Sequence, residues 1–197
     1  MNEGVEPACV DWRQRLAESR RANEDEPTRR YVQLATVDED GCGRCRTVLF
    51  RELLDDPPRL MFVTHCQSPK ARQMRENPWG EACWYFSETL EQFRFLGRYE
   101  PLGADCADAQ RPFRRQVWEQ MPEKGKKLFY WPAPGELRTP ETDFEPKGDM
   151  ATSPASFCVV LLEVVRVDWL DLKPWPHERV IYERNDDGQW RARSVVA

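Results

Sequence analysis

Apolar and polar positions along the 197-residue chain recur mostly with the period of two that marks a half-buried strand, interrupted in few places by helical spacing. Tyr31-Val-Gln-Leu-Ala-Thr-Val37, the Asp38-Glu-Asp-Gly41 turn and Cys45-Arg-Thr-Val-Leu-Phe-Arg51 predict a β-hairpin. Leu60 to Thr64 is a short apolar run that predicts a strand buried on both faces. Glu81–Phe86 and Glu91–Tyr99 follow as strands, the second alternating Gln92 and Arg94 with Phe93 and Phe95. A long strand is expected over Ser156–Leu172, and Arg179–Arg184 with Trp190–Val196 forms a closing hairpin around Asn185-Asp-Asp-Gly188.

Helical signals are fewer. Val10–Ala22 predicts an N-terminal helix that ends before Pro27, and Ala107–Gln120 places Phe113, Val117 and Trp118 on one face. Ser68 offers an N-cap with Pro69 at the first helical position, and Asn77-Pro78 closes that short helix. The proline-rich stretch 130–156 is too irregular for regular structure, and is expected to be an ordered covering or a mobile lid. Strands joined by short turns predict one mainly β domain over 1–197, an antiparallel barrel that leaves few open edges.

Charge and cysteine content narrow the function class. A net charge of -5 counts against nonspecific nucleic-acid binding. No run reaches the ~18 apolar residues of a membrane span, and Met1–Arg20 lacks the order of a secretory signal, so a cytoplasmic location is expected. Seven scattered cysteines suit a reducing compartment. Cys42-Gly-Arg-Cys45 lacks a second ligand pair for zinc and the strand-to-helix setting of a thioredoxin motif, so no metal site is expected.

The residues that carry chemistry come in order along the barrel. A helix starting at Ser68 aims unpaired backbone N–H groups at its N-terminus, and Lys70 and Arg46 reinforce that positive end, which suits a phosphate. The same residues also make an ordinary helix cap beside solvated arginines, and physics alone leaves both readings open. Neither a Gly-x-Gly-x-x-Gly nor a Gly-x4-Gly-Lys-Ser/Thr loop occurs.

Taken together, Arg46-x-Val48-Leu49-x-Arg51, the strand ending in Thr64, Ser68-x-Lys70-Ala71-x-Gln73, Asn77-Pro78 and Gln92 with Gly97 resemble the FMN-binding split barrel of the pyridoxamine 5'-phosphate oxidase family. Cys83-Trp-Tyr-Phe86, Arg179-Val-Ile-Tyr182 and Trp190 extend the resemblance over roughly residues 31–196, closer to an FMN-binding branch than to the biosynthetic oxidase. The resemblance implies that Arg46 and Lys70 meet the FMN phosphate, with Thr64 and Ser68 donating hydrogen bonds and Val63 alongside. It implies that Thr47, Val48 and Leu49 run beside the isoalloxazine ring, that Gln92 hydrogen-bonds it, and that Arg179 places positive charge near it. It also implies that Arg51 belongs with the FMN-binding residues and, together with His177, on the substrate side, and that the flavin lies between the two subunits of a homodimer.

Three departures stand out. Pro69 replaces a second basic residue at the helix start, Met121–Lys127 does not reproduce the oxidase's substrate-phosphate set, and Trp175 stands where the oxidase has a substrate arginine. They count against pyridoxamine phosphate as the substrate. The expected function is an FMN-dependent oxidoreductase acting on another small molecule, with a non-catalytic FMN-binding sensor or carrier as the alternative.

Overall fold

The computed structural model describes residues 11–146 and 149–197. Helix α1 (Trp12–Ala22) is capped by Asp11, whose carboxylate accepts from Arg13 N, and buries Trp12 and Leu16. The expected start of this helix at Val10 lies outside the described residues. Strands β1 (Tyr31–Val37) and β2 (Gly43–Leu49) form the expected hairpin, and a short β3 (Glu52–Leu54), not anticipated from the sequence, follows two residues later. Next come β4 (Arg59–His65), α2 (Pro69–Glu76), β5 (Trp79–Phe86) and β6 (Glu91–Leu102). The expected 107–120 helix is a 3-10 turn at Asp108–Gln110 followed by α3 (Arg111–Glu119). A further turn, α4 (Glu123–Lys127), lies beyond Pro122, where the sequence suggested only a stop. Strands β7 (Phe157–Asp171), β8 (Glu178–Arg184) and β9 (Trp190–Val195) end the chain.

The strands pair antiparallel in the order β2-β1-β5-β6-β7-β4-β3, and β8 and β9 extend the sheet from the second half of β7. Because β2 leads into β3 through Phe50 and Arg51, whose N–H groups donate to Arg30 O and Met61 O at 2.8 and 2.9 Å, the two ends of the order join. A barrel results. Its closure needs sharp curvature at the β6–β7 bulge between Leu96 and Gly97, where a Cβ on Gly97 would stand 2.0 Å from Glu163 O.

Period-two alternation fills the interior. Leu34, Phe62, Trp84, Phe93, Phe95, Val160 and Val167 point into one core with Trp12 from α1. The alternate residues of β4 and β7, Met61, Phe157, Val159 and Leu161, face a second cluster with Val117, Trp118 and Phe129. Strands β4 and β7 are therefore buried on both faces, as the Leu60–Thr64 run predicted for β4. Residues 149–156 and Tyr130 are tied to this second layer and to each other. Trp118 Nε1 donates to Met150 O at 3.0 Å, Tyr130 Oη to Asp149 O at 3.0 Å, and Ser156 Oγ to Phe129 O.

Among the described residues, no helix is long and apolar enough to cross a membrane.

Candidate functional site

Strand β4 carries Thr64 to the point where the chain turns into α2. Ser68, fully buried, caps the helix by accepting from Ala71 N and lies 3.2 Å from Thr64 Oγ1. Lys70 Nζ donates to Thr64 Oγ1 at 3.1 Å. Arg46, one strand away on β2, points to the same end of the barrel. Its guanidinium donates to Thr36 Oγ1 at 2.7 Å, to Leu34 O at 3.1 Å and to Gln73 Oε1 at 3.2 Å, and Thr36 donates to that same Gln73 oxygen at 2.6 Å. Thr36 and Gln73 form an aiming frame for Arg46. Gln73 stood in the motif without a role, and Thr36 was missed: a threonine on a strand carries no signal until register sets it beside an arginine.

Burial lowers the pKa of Lys70, and the like charge of Arg46 lowers it further, so the two cations feel each other. Arg46 is also lowered by burial, and Arg51 by burial and then by Arg30. None of the ion pairs among the described residues involves Arg46, Arg51 or Lys70. Three part-buried cations with no carboxylate partner among the described residues, beside a helix N-terminus, are arranged for an anion.

Lys70, Thr64, Val63 and Arg51 line one wall of a cavity of about 520 Å³, with His65 beside them. Residues between 131 and 144, among them Trp131, Leu137, Arg138 and Phe144, line it as well. Arg138 stacks over Phe144 at 5.0 Å, and Phe144 meets Trp131 edge-on at 5.2 Å. Burial, then Lys70, lowers the His65 pKa, which favours its neutral form.

The remaining sequence-selected residues lie elsewhere. Val48 pairs with Val32 and packs inward, whereas Thr47 and Leu49 pair with Gln33 and Tyr31 on the outer face of the sheet. Gln92 is on that outer face too, opposite Tyr85 and Leu170, and Leu170 in turn pairs with Arg179. Arg179 donates to both oxygens of the buried Asp168 at 2.9 and 2.7 Å, and Arg94 bridges Asp168 and Glu81. Its charge is thus balanced within the chain. His177 is exposed, with Nδ1 3.0 Å from Pro174 O and its ring against Trp175. Neither Gln92, Arg179 nor His177 lines the Lys70 cavity of the single chain.

Residues 9–102 match the family model described as pyridoxamine 5'-phosphate oxidase, FMN-binding domain. A pyridoxine/pyridoxamine 5'-phosphate oxidase 2 of Arabidopsis thaliana is 33% identical over 165 residues, covering 82% of this chain and 83% of its own. The chain belongs to the pyridoxamine 5'-phosphate oxidase family. A crystal structure of a pyridoxamine 5'-phosphate oxidase-related, FMN-binding protein from Nostoc punctiforme superimposes with a TM-score of 0.90 at 36% identity, over 96% of this chain and 99% of that one. A dihydrophenazinedicarboxylate synthase of Pseudomonas chlororaphis is 28% identical over 184 residues, 91% of this chain and 79% of its own. The family therefore includes members that act on quite different molecules.

The matched family model is an FMN-binding domain and the Nostoc protein binds FMN, which makes FMN the cofactor here, and the residues present fit it. Lys70, at the N-terminus of α2, uses only one of its three donors, on the Thr64 hydroxyl. A phosphate with several acceptor oxygens would satisfy groups that the chain leaves unpaired.

Proposed function

We propose that this protein is an FMN-dependent oxidoreductase whose substrate is a small, flat, anionic molecule seated between Lys70, Arg51 and the 131–144 lining. The observation that carries this reading is the cavity lined by Arg51 and Lys70, with Arg46 near enough to Lys70 to lower its pKa and none of the three in an ion pair among the described residues. FMN, when bound, supplies the chemistry, accepting a hydride from the substrate and passing its electrons to an acceptor.

The chain's own residues bind, orient and exclude water. Lys70 and the α2 N-terminus would hold the phosphate, Thr64 and Ser68 would donate hydroxyl hydrogen bonds to it, and Arg46, fixed by Thr36 and Gln73, would close the ring of donors. Val63 and the Thr47–Leu49 backbone would border the ring. Arg51, at the cavity wall and without an acid partner, would bind the substrate's anionic group, while Trp131 and Phe144 cover its flat face. The Trp175 and Met121–Lys127 departures favour a substrate other than pyridoxamine phosphate.

Gln92 and Arg179 reach such a flavin only if a second copy of the chain packs on the outer sheet face. That face carries exposed Tyr31, Trp79 and Tyr85, which support a homodimer interface there. His177 joins the site in this reading only from the second copy.

The test is anaerobic stopped-flow reduction of the FMN-loaded protein with candidate amines, cyclic carboxylates and NAD(P)H. A saturable bleaching of the flavin band by at least one class is expected. Tight FMN binding with no saturable reductive step by any of them would instead make the protein a sensor or carrier.

A further inference from the structure

His65 lines the cavity with Lys70 and Thr64 and takes no part in the contacts assigned so far. It ends β4, and the alternation of that strand places it. Leu60 and Phe62 face the first core, while Met61 and Val63 pack with the second cluster, the side on which His65 follows two residues later. Met121 and Phe129 of that cluster line the same cavity. The residue is firmly mounted: its backbone pairs with Phe157 of β7, its carbonyl accepts from Ser68 N at 3.0 Å, and its Nδ1 accepts from Gln67 N at 3.2 Å.

The Gln67 contact fixes the chemistry of the ring. A backbone N–H can only donate, so Nδ1 carries a lone pair and the proton of the neutral imidazole sits on Nε2. Nε2 has no hydrogen-bond partner among the described residues and is the free edge of the ring. Protonating Nδ1 would set two N–H groups against each other, so the contact itself opposes the cationic form. Burial and then the charge of Lys70 act in the same direction, and Glu136 opposes them, which leaves the His65 pKa below its ordinary value.

The charged groups that share the cavity are mostly donors. Lys70 comes from α2, Arg51 from the link between β2 and β3, and Arg138 from the stretch after Tyr130, whereas Glu136 is the one carboxylate among the lining residues. An imidazole held in this tautomer adds a neutral N–H to those cations. It offers no free lone pair, so it can neither take a proton from a substrate nor receive an ammonium group. What fits it is an oxygen that accepts.

Resting on the reading of this cavity as the substrate site, we propose that His65 is a specificity-determining residue that donates from Nε2 to a carboxylate or carbonyl oxygen of the substrate. Arg51 and Lys70 attract an anion from many directions. A ring held through its Nδ1 and its own backbone donates along one line, so His65 selects where the oxygen sits. A substrate analogue with an amine at that place would set one N–H against another and be rejected. The FMN phosphate offers oxygens of the same kind, and the test below separates the two acceptors.

The test titrates benzoate, a flat carboxylate, into the FMN-loaded full chain and follows the flavin spectrum. His65→Phe, which keeps a ring and loses the donor, should weaken benzoate binding about ten- to 150-fold, and His65→Gln, which keeps an N–H at similar reach, should recover most of it. The Kd for FMN should be the same in wild type and both variants. Equal benzoate affinity in wild type and His65→Phe, or no benzoate-dependent change in the FMN-loaded wild type, would overturn the proposal. A loss that falls on FMN binding instead would overturn it too, by giving the donor to the cofactor phosphate. Because the chain has two histidines, nitrogen NMR of the wild type resolves both rings, with His177→Gln as the assignment, and it needs neither His65 variant nor bound flavin. A proton on Nε2 of a neutral His65 at neutral pH, and a shift of that nitrogen on adding benzoate, are expected. A proton on Nδ1, or a ring unmoved by benzoate, would overturn the proposal. Failure of the wild type to bind FMN would sink the oxidoreductase reading, and the NMR result would still decide for His65.

Discussion

Replacing Lys70 by Met separates a binding role from a structural one. In the free chain the Lys70 ammonium has one hydrogen-bond partner, Thr64 Oγ1, and both burial and the like charge of Arg46 disfavour it. Removing that charge should therefore leave the melting temperature of the cofactor-free protein unchanged or raised, since Met retains the apolar stem. Toward FMN the same change removes a charge-assisted hydrogen bond to phosphate, a loss of about 1.5–3 kcal/mol. That converts to a Kd about ten- to 150-fold weaker. Fluorescence titration of FMN into the cofactor-free protein gives the Kd, and a thermal melt of the same preparation gives the stability. An unchanged Kd, or a melting temperature that falls by several degrees, would refute the reasoning, because Lys70 would then support the fold and not an anion.

Further outcomes follow from neighbouring contacts. Ser68→Ala removes the α2 N-cap and should lower stability by about 1 kcal/mol in urea unfolding, with weaker FMN binding as well. Arg179→Ala leaves buried Asp168 with only the longer Arg94 contact, and should cost about 1–3 kcal/mol by the same assay. Gly97→Ala drives a methyl into Glu163 O at the bulge and should destabilise the barrel severely, seen as insoluble expression or an early melt. Because folding lowers the Lys70 pKa, the unfolded chain holds that proton more tightly, so this group's contribution to stability rises as pH climbs through the window between the two values. FMN affinity has the opposite slope there, since phosphate needs the protonated amine. Titrations should show an alkaline loss of affinity beginning below the ordinary lysine range, and Lys70→Met should abolish it.

Much of this molecule is written in local pattern. The alternation in β1, β5 and β6 and the long apolar run of β7 reproduce the strands to within a few residues, because each strand buries one or both faces against a core. Ser68, Pro69 and Asn77 likewise mark both ends of α2, as caps act within a few residues. What could not be read was long-range. Thr47 and Leu49 share a motif with Arg46 and Val48, yet strand alternation sends them to opposite faces, and only the pairing with β1 says which face is which. β3 and α4 are too short for a periodic signal, and β3 exists because β4 offers it an edge. The stretch that follows Tyr130 carries no periodic signal, and where its later part, 149–156, docks is set by long-range hydrogen bonds such as those of Trp118 to Met150 O and Arg114 to Ser153 and Pro154. The pairing of Arg179 with Asp168 joins strands whose register no local pattern states.

The central claim is that this end of the barrel recognises a phosphate. Parallel calorimetric titration of FMN and riboflavin, which differ only in that group, tests it most directly. Several charge-assisted contacts should make FMN bind at least about a hundredfold more tightly, with one site per chain. Equal affinities for the two flavins would contradict the assignment of Arg46, Lys70 and the start of α2 to an anion.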